Sequence, residues 1–255
     1  MGLYDFTFYD LINRNAACYG NSDAWFEVDT DQMFSFKEIK ELTDRLACGL
    51  AAAGVNRGDR IAVLGKNSFE FFLVYCAAAA LGAIVLPVNW RLSEDEVGYI
   101  LKDGAPTVLF ADEEFEAILV NLEKQLPSVK TCYNLKLDGG GTLIQFDTLM
   151  HNEGAVSGEP ANADDGLVII HTAAVAGKPR GALLSHANLL CANLQWNWCC
   201  GIGQADVHLN LLPLFHVAGL FMAAASYHVG ALNVNMRKFD AGAAVALIAE
   251  KKVST

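Results

Sequence analysis

Apolar positions along this chain follow two alternating spacings, and the alternation predicts its elements. Residues 8–18 carry apolar side chains three and four apart behind Thr7, a helix with a ready N-cap. Residues 24–28 and 33–36 instead read as paired strands around the polar turn Asp29-Thr30-Asp31-Gln32. Ser35 followed by Glu38 is a capping box, which opens a helix with Ile39, Leu42, Leu46 and Leu50 on one face and Gly54 at its end. The pattern then repeats: strand 61–64, buried helix 69–81, strand 83–86, and a second capping box at Ser93 and Glu96 opening a polar helix that stops near Gly104. Strand 107–110, helix 113–126 and strand 130–135 follow, and the stretch 139–141 and residues 151–163 read as surface connections. Strands alternating with helices predict an α/β fold, with layered sheets and helices on both faces.

Composition narrows the function classes. Of 255 residues, 53% are apolar, enough for a large core or for two subdomains, expected at 1–163 and 164–255. A net charge of −11 argues against a nucleic-acid partner, because a phosphate backbone needs basic surface. Seven cysteines show no metal-ligand spacing, and buried free thiols are expected; with no leader-like N-terminus, the expected location is cytoplasmic. Residues 71–88 and 217–234 are apolar, but Gly82 and Pro87 break the first and His228 and Gly230 the second, so neither is expected to span a membrane.

Candidate chemistry centres on residues 164–186. Residues 167–170 predict a buried strand, central in its sheet, whose C-terminal end carries a small-residue loop at 172–181 with two cations, Lys178 and Arg180. Bare backbone N–H groups and a lysine are a common way to hold phosphate. The loop is not a Walker A motif, since Pro179 follows Lys178 where a hydroxyl residue is needed. Gly201 and Gly203 are not a dinucleotide fingerprint either, because Asp206 stands at the third glycine position. His171 is expected at a strand end, Ser185 at a helix cap, Trp196 and Trp198 in packing, and Cys199 and Cys200 without a catalytic role.

This loop resembles the phosphate loop of the adenylate-forming superfamily, aromatic-Thr-Ser-Gly-Thr-Thr-Gly-x-Pro-Lys-Gly. Thr172, Gly177, Pro179 and Gly181 match, Arg180 replaces the lysine, and Ala173, Ala174, Val175 and Ala176 replace Ser, Gly, Thr and Thr. Upstream, residues 50–63 resemble the family's early helix-Gly-Val-x-x-Gly-Asp signature, and residues 81–93 its following strand and loop. Downstream, Leu212-Pro213-Leu214-Phe215-His216-Val217-Ala218-Gly219-Leu220 resembles the second core motif in its acyl-CoA ligase form.

The resemblance implies the N-terminal portion of the large domain of an AMP-forming acyl-CoA synthetase, an acid-thiol ligase. It implies ATP, Mg²⁺ and CoA as cofactors and co-substrates, and a carboxylic or fatty acid as substrate. Phosphate contacts would come from Thr172, Ala173, Ala174, Val175, Ala176, Gly177, Lys178 and Arg180. Phe215, His216 and Gly219 would border the acyl carboxylate, with His216 as the catalytic residue, and no metal ligand is assigned. The family's adenine, ribose and hinge motifs and its C-terminal lysine domain have no counterpart here, so a truncated and inactive chain is expected, with an exposed apolar face prone to self-association. Two alternatives stay open: a non-catalytic homologue with an altered loop, and a ligase that loads a carrier protein.

Overall fold

The computed structural model describes residues 6–137, 139–152, 154, 156, 161–172 and 178–255. Thr7 caps the first helix, α1 (Phe8–Tyr19), through a capping box with Asp10. Strands β1 (Asp23–Glu27) and β2 (Gln32–Ser35) pair antiparallel, and Ser35 and Glu38 cap α2 (Phe36–Ala52) as their spacing predicts. β3 (Arg60–Leu64), α3 (Phe69–Leu81), β4 (Ile84–Val88), α4 (Glu94–Gly104) and β5 (Val108–Ala111) succeed one another as read from the sequence. The helix expected over 113–126 is instead three pieces, with 3₁₀ turns on either side of α5 (Glu116–Leu122). It is followed by β6 (Thr131–Asn134).

The second part of the chain contributes β7 (Gly166–His171), β8 (Gly181–Ser185), α6 (His186–Cys200), β9 (Val207–Asn210), α7 (Val217–His228), β10 (Leu232–Asn235) and α8 (Ala241–Glu250). Its strands divide between two sheets. One runs β6-β5-β3-β4-β7-β8 and the other β2-β1-β10-β9, so each sheet draws strands from both sides of residue 163. β7 is not central as expected: it stands next to the edge, and its outer neighbour β8 runs antiparallel to it. The reason is that the connection between them is a hairpin, which only an antiparallel pair permits; parallel pairing needs a crossover.

Side chains of each strand alternate between faces and assign the layers. Ile61, Val63 and Phe110 point into a central core, whereas Ala62, Leu64 and Leu109 point into a cluster covered by α4 and α5. From the other sheet Trp25 joins the central core, while Phe26, Leu209 and Val234 meet Ala244 and Leu247 of α8. The central layer holds α3, whose residues are all buried, and Trp25 stacks on Phe72 there with centroids 4.6 Å apart. A helix apolar all round needs this enclosure, since each fully buried Leu, Val or Phe contributes about 1.5–3 kcal/mol. The order is thus helix, sheet, helix, sheet, helix. No described helix is long and apolar enough to cross a membrane.

Several expectations change. Only Cys76 of the seven free cysteines is buried; Cys18 on α1 is exposed, and so are Cys191, Cys199 and Cys200, because α6 lies at the margin of the central layer. For the same reason Trp198 is 89% exposed and Trp196 only partly covered, so the expected packing role fails for Trp198. Residues 253–255 form no strand, although the Ser254 and Thr255 amides both donate to the Val207 carbonyl. Of the expected connection at 151–163, residues 153, 155 and 157–160 lie outside the described residues.

Candidate functional site

Two segments far apart in sequence meet at one cleft. The first is the β7–β8 hairpin, whose strand ends are joined where the Thr172 amide donates to the Arg180 carbonyl at 3.0 Å. The second is the turn at 212–216 that leads into α7. Asn67 holds that turn from both sides: its amide donates to the Leu212 carbonyl at 2.9 Å, and its carbonyl accepts from the Leu214 amide at 2.7 Å. Tyr75 adds a hydroxyl bond of 3.0 Å to the Leu214 carbonyl. Both side chains belong to the α3 region, so the buried helix fixes the turn.

His216 caps α7, its Nδ1 accepting from the Ala218 amide at 3.2 Å. A neutral ring that accepts at Nδ1 carries its proton on Nε2, which can donate to a developing negative charge. Phe215 beside it is buried, with the Arg91 guanidinium 5.8 Å from its ring centroid. Gly219 stands one turn along, where a Cβ would run into the Pro213 carbonyl oxygen. The absence of a side chain lets α7 pack onto the turn that carries His216.

Between the two segments lies an open cleft of about 1040 Å³. Thr172, Lys178, Phe215 and His216 all line it, so both of the expected site segments share one wall system. Arg180 and Gly219 do not line this cleft. Arg180 is an exposed residue bonded through its carbonyl, and Gly219 borders a second cavity of about 380 Å³ between β9, α7 and α8. Ala173, Ala174, Val175, Ala176 and Gly177 lie outside the described residues.

Lys178 holds its ammonium 5.1 Å from the Tyr99 ring centroid, which leaves the cation unneutralised by any carboxylate contact among the described residues. His171 packs its ring beside the hairpin, with Nε2 2.9 Å from Asp103 Oδ2. Its Nδ1 is buried without a partner among the described residues. The Lys178 cation and the His216 Nε2–H donor on one cleft suit an anionic ligand. No group of three or more metal-ligating side chains is brought together among the described residues. Asn67, Tyr75, Tyr99 and Asp103 were not singled out from the sequence.

The family model described as AMP-binding enzyme matches residues 12–255. The long-chain-fatty-acid–CoA ligase FadD13 of Mycobacterium tuberculosis is 30% identical over 250 residues, 95% of this chain and 48% of its own length. The indoleacetate–CoA ligase of Aromatoleum aromaticum is 33% identical over 232 residues, 86% of this chain and 43% of its own. A crystal structure from Rhodopseudomonas palustris, named for long-chain-fatty-acid CoA ligase, superposes with a TM-score of 0.92 at 38% identity, covering 99% of this chain and 63% of that one. The N-terminal domain of FACL13 from M. tuberculosis superposes at 0.87 and 27% identity, covering 97% of this chain and 61% of that one. This chain thus spans about half the length of the curated relatives it matches. By a match that runs from α1 to the last residue, the chain belongs to the AMP-binding enzyme family.

Proposed function

We propose that these residues form the phosphate-binding and carboxylate-binding half of an AMP-forming acyl-CoA synthetase. In this reading the β7–β8 loop holds the β- and γ-phosphates of ATP, and Lys178 offsets their charge. The acid enters beside Phe215, and His216 Nε2–H donates to the carboxylate oxygen as the acyl-adenylate forms. CoA then takes the acyl group as a thioester. Mg²⁺ enters only as the counter-ion of ATP, and no step is assigned to it. A cytoplasmic location belongs to the same proposal. The observation that carries it is the convergence of Lys178 and His216 on one cleft, from segments 38 residues apart (216 − 178).

Acyl-dependent ATP–pyrophosphate exchange tests the reading, in a polypeptide extending this chain to the length of its relatives. Exchange is expected with at least one short, long or aromatic acid, and Lys178→Ala is expected to reduce it more than Arg180→Ala, since only Lys178 lines the cleft. No exchange with any acid favours the non-catalytic homologue. A second reading has one observation behind it: a fatty acid–[acyl-carrier-protein] ligase, ScoC of Streptomyces coeruleorubidus, is 28% identical over 229 residues. A final product that forms without CoA, on a carrier protein, supports that one instead.

A further inference from the structure

The hairpin that carries the candidate phosphate loop sits at the edge of its sheet, with β8 paired only to β7 among the described residues. An edge strand held by one ladder opens more readily than one paired on both sides, and here β7 ends at His171 and β8 begins at Gly181. Here α4 reaches both legs. Tyr99 and Asp103 are four residues apart and therefore stand one above the other on the same helix face. Asp103 engages the outgoing leg through His171, whose side chain is 4% exposed and whose Nε2 lies 2.9 Å from Oδ2. Tyr99 engages the returning leg: its hydroxyl donates to the Pro179 carbonyl at 3.1 Å, and its ring lies 5.1 Å from the Lys178 ammonium. The helix itself is anchored by its Ser93–Glu96 capping box and by the buried Val97, Ile100 and Leu101.

We infer that Tyr99 and Asp103 are positioning residues for the polyphosphate of the nucleotide. They brace the two legs of the hairpin from α4 and set the Lys178 ammonium over the cleft; Asp103 acts from outside the cleft, whereas Tyr99 also lines it. Hairpin legs already fixed at His171 and Pro179 do not have to be fixed when the anion arrives, so the brace appears as affinity for ATP. His171 joins the two functions: Asp103 fixes its Nε2, and its partnerless Nδ1 is left on the side chain that lines the cleft.

This inference rests on the proposed ATP site, and two measurements separate the failure of each. In the 255-residue chain without nucleotide, amide hydrogen exchange at Thr172 and along β8 is expected to speed up in Tyr99→Phe and Asp103→Ala, with β3 and β4 unchanged. In the extended polypeptide, each variant is expected to raise the KM for ATP roughly threefold to tenfold, the worth of one hydrogen bond. The KM for the acid and kcat should stay within about twofold, because Tyr99→Phe keeps the ring that lines the cleft and Asp103 does not line it. Asp103→Asn should restore near-normal behaviour, since its carboxamide oxygen still accepts from Nε2–H. Unchanged amide exchange overturns the brace, and so does an ATP KM that moves no more than the acid KM or kcat. If the unsubstituted enzyme shows no pyrophosphate exchange, the proposed function falls, and the amide comparison alone decides the brace.

Discussion

Glu27 shows how one buried side chain ties its sheet to the buried helix α3. It lies on β1, is 2% exposed, and accepts hydrogen bonds from the Phe69 amide at 2.8 Å, Trp25 Nε1 at 3.2 Å and Asn235 Nδ2 at 3.0 Å. Burial pushes its pKa up to about 7, against the opposing pull of the Lys136 charge and the bonds from Asn235 and Trp25. A raised folded-state value means that the folded chain holds the proton more tightly than the unfolded one. The associated stability is present below the ordinary value near 4.5 and is lost as pH rises through about 7. Glu27→Gln, a mimic of the neutral form, should therefore gain on the unsubstituted chain between pH 5 and pH 8, read as the shift in urea midpoint. An equal difference at both pH values would remove the burial assignment. Gly219→Ala tests a contact of another kind. Its Cβ would meet backbone rather than a mobile side chain, so the 212–216 turn must move. A loss of about 1–3 kcal/mol is expected by denaturant melts, together with a displaced His216.

At the scale of elements, the local rules hold best where polar side chains cap helices. α6 starts at Ser185, whose hydroxyl accepts from the Asn188 amide at 3.2 Å while the Asn188 side chain accepts from the Ser185 amide at 3.0 Å. Ser185→Ala should cost about 1 kcal/mol of stability, the usual worth of such a cap, and Ser185→Thr should restore most of it. Because β8 runs directly into α6, loss of the cap should also loosen the end of the hairpin; a chain that melts as before would show that packing alone starts this helix. These signals were legible in the sequence: the capping boxes at Ser35, Ser93 and Ser185 and the αL glycine Gly82 all stand where their spacing placed them. The broken helix at 113–126 was not legible, because its apolar residues suit either a helix or a chain of turns and packing on the sheet decides.

For the whole molecule, the two sheets are joined by an ion pair. Arg237, after β10, places Nη2 3.0 Å from Oδ2 of Asp112, which is 2% exposed at the end of β5 and also accepts from the Lys66 amide at 2.8 Å. Arg237→Leu would strand that buried carboxylate, at a cost of about 3–5 kcal/mol. The deficit should shrink on acidification, as Asp112 takes up a proton and needs no partner; a deficit independent of pH would show that packing of the arginine stem matters more. The acid response of the unsubstituted chain follows from its buried groups. His186, His208 and His228 are each lowered to about 4, chiefly by burial, so the stability they provide is present above about 6.5 and lost as pH falls through about 4. Glu27 and Asp112, both raised by burial, act in the opposite direction, but three imidazoles outweigh them in this range. The urea midpoint should thus fall from pH 6.5 to pH 4.5, and a flat profile would contradict it. On α6 and β8, Trp198, Leu194 and Leu183 are each more than half exposed.

Most of the element order, the helix caps and the two motif segments were determined by the sequence alone. The physical reason is that all of them rest on local rules: spacing of apolar positions, a cap oxygen three residues from its amide, a glycine where φ is positive. The family resemblance, not these rules, implied that Lys178, Phe215 and His216 belong to one site, and their shared cleft is a matter of tertiary structure. What only the tertiary structure decided is anything that depends on partners distant in the chain. β1 pairs with β10 across some two hundred residues, and β7 stands beside an antiparallel edge strand rather than at the centre of its sheet. Arg180 turns away from the cleft that Lys178 lines, and Trp198 faces solvent although its composition suggested a core. Asn67, Tyr99 and Asp103 carry no local signature, because a side chain that braces another segment is defined by where that segment arrives. Only folding brings α4 against the hairpin and Asn67 against the His216 turn.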